Sequence, residues 1–227
     1  MNAELDFQGS AYYLDGRRLT DTELAEWRDD QVDLMMVELR ELTKQLLHID
    51  ETRPEKQSAV FAIGKQDIIS EVASSVLGAG LFLEEFIDRF ISKVSNFVTS
   101  AYSTGAGGPE FVADWKPLAQ RLRRVDEAAH RFEDAIKAGT LTDAQILARA
   151  EDFASHATGA FEQSKLLHLR GGFSPPEQPG DKCEGGPRCR CYWEVHEYED
   201  RWEGVWRAKN DRSTCAHCRA NAVKWGA

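Results

Sequence analysis

"FVADWKPLAQRLRRVDEAAHRFEDAIKAG", residues 111–139, is the stretch whose reading decides the fold class. Phe111, Trp115, Leu118, Leu122, Val125, Ala129, Phe132 and Ile136 recur at alternating steps of four and three. That period lines one face of an α-helix, which turns once every ~3.6 residues. Gly139 is a natural stop for it, because glycine takes the left-handed backbone that closes helices.

The same period returns on both sides of this stretch. Upstream, Val32, Met35, Leu39, Leu42, Leu46 and Ile49 share a face. Thr20 and Glu23 offer a capping box at the start of that helix, and Pro54 ends it. A second helical region is expected from 56 to 102, divided by Gly64, Gly78 and Gly80 and stopped by "STGAGGP", 103–109. Its clear part carries Leu83, Phe86, Phe90, Val94 and Phe97 on one side. Downstream, "TDAQ", 142–145, restarts a helix that runs to Leu169 on Ile146, Phe153, Ala157 and Ala160. Two of the apolar seams are heptad-like. Each lasts only a few heptads, so a packed bundle is expected rather than a coiled coil. "YYLDGRRLT", 12–20, reads as an extended piece with a turn at Asp15–Gly16.

The predicted fold is therefore mainly α: a helical bundle of long amphipathic helices over residues 1–170. "GGFSPPEQPGDK", 171–182, is rich in glycine and proline and reads as a linker. A small C-terminal module follows at 183–227. The formal charge of −10 belongs to the bundle: the chain from residue 171 onward holds nine basic and nine acidic groups. An acidic body argues against wrapping DNA, which needs clustered cations. "MNAELDFQGS" has neither a basic start nor an apolar run, which points to a soluble protein made in the cytoplasm. The uncharged apolar stretch 72–83 is too short for a membrane span and is interrupted by glycines.

All five cysteines lie in the C-terminal module, in "DKCEGGPRCRCYWEV", 181–195, and "STCAHCRANAVKW", 213–225. Between them "YWEVHEYED" and "RWEGVWRA" read as two short strands. The order is a cysteine knuckle, a hairpin, and Cys215-x-x-Cys218 opening a helix, a treble-clef-like layout. Zn²⁺ prefers four soft or borderline donors in a tetrahedron, and a Cys-x-x-Cys turn aims two sulfurs at one ion. A module this small buries too little apolar surface to stand alone, so a structural metal would stabilise it. The candidate ligands are Cys183, Cys189, Cys191, Cys215 and Cys218. Cys215 and Cys218 are the firmest, joined by Cys183 and one of Cys189 and Cys191, with the other pointing away. A disulfide pair and a redox Cys-x-x-Cys are the rival readings. His196 and His217 read as bystanders, and His48, His130, His156 and His168 as helix residues without a ligand pattern. There is no phosphate loop, no Gly-x-Ser-x-Gly and no dinucleotide fingerprint, so no enzyme is expected. Carboxylates are assigned to solvated helix exteriors.

Cys183, Cys189, Cys191, Trp193, Cys215, Cys218, Arg219, Ala220 and Trp225 together resemble the C-terminal end of minor head or head-morphogenesis-type structural proteins of tailed bacteriophages and prophages. "YYLDGRRLT" leading into a long helix with Trp27, and the glycine-rich break before the third helix, fit the same layout. The resemblance implies a virion component near the portal or capsid interior. Its partners would be other virion proteins, its state multi-copy, and its action structural rather than enzymatic. The competing reading is a zinc-module nucleic-acid-binding or regulatory protein, with basic residues between Arg188 and Lys224 as its footprint. Trp193, Trp202, Trp206 and Trp225 would either anchor a partner or thicken a thin core.

Overall fold

The computed structural model describes residues 5–8, 11–47, 65–169, 178–179, 189–199, 201–208 and 214–226. A small antiparallel sheet opens the chain: β1 (Leu5–Gln8), β2 (Ala11–Leu14) and β3 (Arg17–Arg18). Asp15 and Gly16, at φ 51 and 78, make the tight β2–β3 turn that the Asp-Gly pair predicts. α1 follows over Asp21–Leu46. Its capping box is formed: the Thr20 side chain accepts from the Glu23 N–H, and the Glu23 carboxylate accepts from the Thr20 N–H at 2.9 Å.

α2 runs unbroken over Lys65–Ala106. The expected division at Gly78 and Gly80 is absent. Glycine weakens a helix by about 1 kcal/mol but keeps its N–H and C=O, so the ladder continues through both. Gly64, Pro54 and Ile49 lie outside the described residues. α3 spans Lys116–Lys137, so Phe111 and Trp115 precede it, both substantially exposed. Pro117 sits in the first turn, where its missing N–H costs nothing, and the apolar period simply extends past the helix start. At the other end Gly139 has φ 60, with Gly139 N–H donating to Ile136 O and Thr140 N–H to Ala135 O. That is a Schellman closure, as the glycine predicts.

The single helix expected over 142–169 is two, α4 (Asp143–Asp152) and α5 (Ser155–Leu169). At the joint, Phe153, Ala154, His156 and Ala157 donate three residues back, and Ser155 Oγ donates to Asp152 O at 2.7 Å. The tighter turn serves the core. Phe153 meets Phe90 edge-on, with centroids 4.9 Å apart, and lies 6.0 Å from Phe132.

The main core lies between α1, α2, α3, α4 and α5. Val32, Met35 and Leu39 face Leu83, Phe86, Phe90 and Val94, with Leu118, Val125, Ala129 and Phe132 closing from α3. Each fully buried side chain such as Phe90 contributes on the order of 1.5–3 kcal/mol. α2 lies along α5, and the approach is close. A Cβ on Gly105 would come within 2.4 Å of the Phe161 carbonyl oxygen. A satellite core of Tyr12, Leu24 and Phe161 seats the N-terminal sheet, and Tyr12 OH donates to Thr104 O.

The C-terminal hairpin is β4 (Tyr192–Glu197) paired antiparallel with β5 (Trp202–Arg207), followed by α6 (Ala216–Trp225) packed on β5. A mainly helical chain with a small C-terminal two-stranded sheet is thus the architecture. The hairpin is not held at a distance from the bundle. Val195 N–H donates to Asp21 Oδ2 at 3.2 Å, Thr22 and Tyr192 hydroxyls meet at 2.8 Å, and Leu166 of α5 lies within the hairpin's own core. Of the stretch read as a linker, only Gln178 and Pro179 are described. No helix among the described residues is long and apolar enough to cross a membrane.

Candidate metal centre

The hairpin core is built from sulfur and indole. Cys189, Cys191 and Cys218 are 4 %, 3 % and 1 % exposed, and their Sγ atoms all lie within 4.8 Å of one another. Cys191 directly precedes β4, and Cys218 sits in the first turn of α6, so the hairpin and the helix bring the thiols together. Trp193, Trp206 and Trp225 pack around them.

Both cysteines of Cys189-Arg190-Cys191 turn to this cluster, and the expectation that one points away fails. Residues two apart in an extended chain share a face, so it is Arg190 between them that points away. Arg190 reaches α1, where it holds Asp33 through Nη2 at 2.7 and 2.8 Å and Asp29 at 3.6 Å. Cys215 is the N-cap of α6, and its Sγ accepts from the Cys218 N–H at 3.4 Å. It packs at the edge of the same core, half-buried, outside the tight group of three. Cys183 lies outside the described residues.

Among the described residues no histidine joins the group of three sulfurs. His196 is on the exposed face of β4, and His217 faces Asn221 at 3.3 Å. His130 lies between Asp126 and Glu133, the His156 ring is tilted against Phe153, and His168 meets Tyr102 edge-on. Burial lowers the His168 pKa, with Asp114 opposing. His48 lies outside the described residues.

Beneath the thiols is a charged layer that sequence reasoning missed. Arg28 of α1 is 2 % exposed, and Glu162 and Lys165 of α5 are fully enclosed. Arg28 Nη1 donates to Glu162 Oε1 at 2.6 Å, and Nη2 to Asp29 Oδ1 at 2.6 Å. Lys165 Nζ lies 3.1 Å from Glu162 Oε2. The two cations also reach the hairpin: Arg28 Nη2 donates to Cys191 O at 3.4 Å, and Lys165 Nζ to Trp193 O at 3.3 Å. Burial works against the Arg28 charge, yet Glu162 and Asp29, with Cys189 further out, carry its pKa above the ordinary value. Burial raises the Asp29 carboxyl, against the pull of Arg28 and Arg190. The carboxylates of Glu162 and Asp29 are therefore not the solvated helix exteriors expected of them. The available signal is that 153–166 is apolar or small at nearly every other position, which leaves charges at 162 and 165 no solvated face.

The sulfur group fits a metal by the chemistry of its donors. Three buried thiols in mutual contact distance, with a fourth on the adjoining helix cap, suit a soft or borderline ion, and oxygen-seeking Ca²⁺ or Mg²⁺ are excluded. Compared with protein-family profiles, curated proteins and solved structures, the chain has no match.

Proposed function

We propose that Cys189, Cys191 and Cys218, completed by Cys215 or Cys183, hold one structural Zn²⁺, and that the protein is a virion component of the tailed-phage minor head type that acts through protein–protein contacts. The observation that carries the metal reading is the convergence of three thiols from two elements in one dry core. Bound there, Zn²⁺ would cross-link the chain before β4 to the start of α6. Cys189 and Cys191 would anchor the hairpin, Cys218 the helix, and Trp193 and Trp206 would keep water out. Sulfurs this enclosed leave no approach for a substrate, which favours a structural over a catalytic role.

The virion reading rests on the resemblance of residues 183–225, with which the hairpin and the helix-opening Cys-x-x-Cys agree. The nucleic-acid alternative is disfavoured by how the module's cations are used. Arg190, between the two cysteines, is held inward by Asp29 and Asp33 and is not presented to a phosphate. A native mass spectrum of the full chain, alone and mixed with portal and capsid proteins, tests both parts. One zinc per chain and a stable complex with a particle protein are expected. Metal-free protein overturns the zinc site. A metal-loaded monomer that ignores every particle protein yet binds DNA overturns the virion role.

A further inference from the structure

We propose that the metal centre and the buried charges of the helical bundle form one coupled unit, so that metal loading keeps the C-terminal hairpin seated on α1 and α5. This rests on the zinc reading above and adds a consequence for the bundle. The tripeptide Cys189-Arg190-Cys191 joins the two sites. Its two sulfurs face the thiol cluster, while its guanidinium faces Asp33 and Asp29 on α1. An ion that fixes both sulfurs fixes the direction of Arg190 as well. One and three residues past Arg190, the backbone of the hairpin supplies the bundle: Cys191 O accepts from Arg28, and Trp193 O accepts from Lys165.

Those two carbonyls matter because Arg28 and Lys165 are enclosed. A buried cation is tolerated only when its remaining donors are satisfied; Asp29 and Glu162 take some of Arg28's donors and Glu162 pairs with Lys165, and the two hairpin carbonyls supply further acceptors. The hairpin therefore serves the bundle. The bundle serves the hairpin in turn, because Leu166 of α5 completes the sulfur–indole core. With the metal gone, the thiol side of the tripeptide loses its cross-link. The hairpin is then held by its polar contacts to α1 and by Leu166, without a cross-link to α6. Its departure opens the Arg28–Glu162–Lys165 layer to water.

Hydrogen exchange on the full chain, with bound Zn²⁺ and after a chelator has stripped it, tests the coupling. Faster exchange is expected across 192–207 and, together with it, across Trp27–Asp33 and Phe161–Lys165, while α3 stays protected. Arg190→Gln keeps every thiol. It should weaken zinc retention against a competing chelator by roughly ten-fold, the usual scale for a partner of a metal-ligating segment, and speed exchange over Trp27–Asp33. Zinc loss that speeds exchange only in the cysteine-bearing segments overturns the coupling and leaves the zinc site standing, as does an Arg190→Gln protein with unaltered zinc affinity. A full chain that takes up no Zn²⁺ overturns both.

Discussion

Trp193 on β4 and Trp206 on β5 are register partners across the hairpin, their rings meeting edge-on with centroids 5.1 Å apart and planes at 87°. Trp225 of α6 closes the group, 5.8 Å from Trp193 and 6.4 Å from Trp206. Three of the four tryptophans of this end thus form its core, and the side chain of the fourth, Trp202, lies outside the described residues. Trp206→Ala is expected to destabilise the hairpin by about 3–5 kcal/mol, the range for emptying an aromatic site in a packed core. Trp206→Phe keeps most of the ring contact and should cost clearly less. Urea unfolding followed by hydrogen exchange in 192–207 reads the difference.

The elements that were legible share a property: their signals are local. α3 shows in its alternating period, α1 and α4 in Thr20/Glu23 and Thr142/Gln145, whose capping boxes are both formed. The Asp15–Gly16 turn and the helix opened by Cys215 follow from neighbouring residues alone. What was not legible depends on tertiary packing. The joint at Phe153–Ala154 exists because Phe153 fits against Phe90, and nothing near 153 announces that. The apolar surroundings of Glu162 and Lys165 in α5 were a signal, but their partners were not legible, because Arg28 of α1 and the Trp193 carbonyl reach them only in the folded chain. The sulfur cluster was legible as a set of candidates. Its composition was not, because the shared face of Cys189 and Cys191 depends on the extended backbone there.

Gly105 sits where α2 crosses α5, and a methyl group there would press on the Phe161 carbonyl oxygen at 2.4 Å. The obstacle is backbone, so it cannot swing aside. Gly105→Ala should raise helix propensity in α2 and yet lower overall stability by about 1–3 kcal/mol, the scale of overpacking. A thermal melt decides the sign. A more stable Gly105→Ala protein would mean that the two helices can separate without loss.

The start of α1 should give acid-dependent stability. The Thr20 N–H, then the Arg17 guanidinium and the Thr20 hydroxyl, hold the Glu23 carboxyl from 4.5 down to about 2. The folded value lies below the unfolded one, so the contribution is present in full above pH of about 4.5 and is lost as pH falls toward about 2. Glu23→Gln should flatten the slope of melting temperature against pH in that window and leave the slope near neutrality unchanged. A carboxyl carbon titration by NMR places the Glu23 midpoint directly. A midpoint at the ordinary glutamate value would mean that the box is open in solution.

Among the described residues Glu162 alone pairs with both Arg28 and Lys165, at 2.6 and 3.1 Å. Glu162→Gln removes the shared counter-charge and keeps the shape. Arg28 retains Asp29, but Lys165 is left with a backbone carbonyl and the Tyr192 ring, 6.0 Å away. Breaking a buried pair from one side costs about 3–5 kcal/mol, because the stranded charge has no water to return to. Lys165→Met should cost less, since Glu162 still faces Arg28. Replacing Glu162 and Lys165 together by Leu and Met removes both buried charges of α5, and the loss should fall well below that of Glu162→Gln alone. Unfolding free energies for the three variants form the test. A double-variant loss equal to the sum of the two single losses would show that the charges act independently, and that the layer beneath the thiols is not a network.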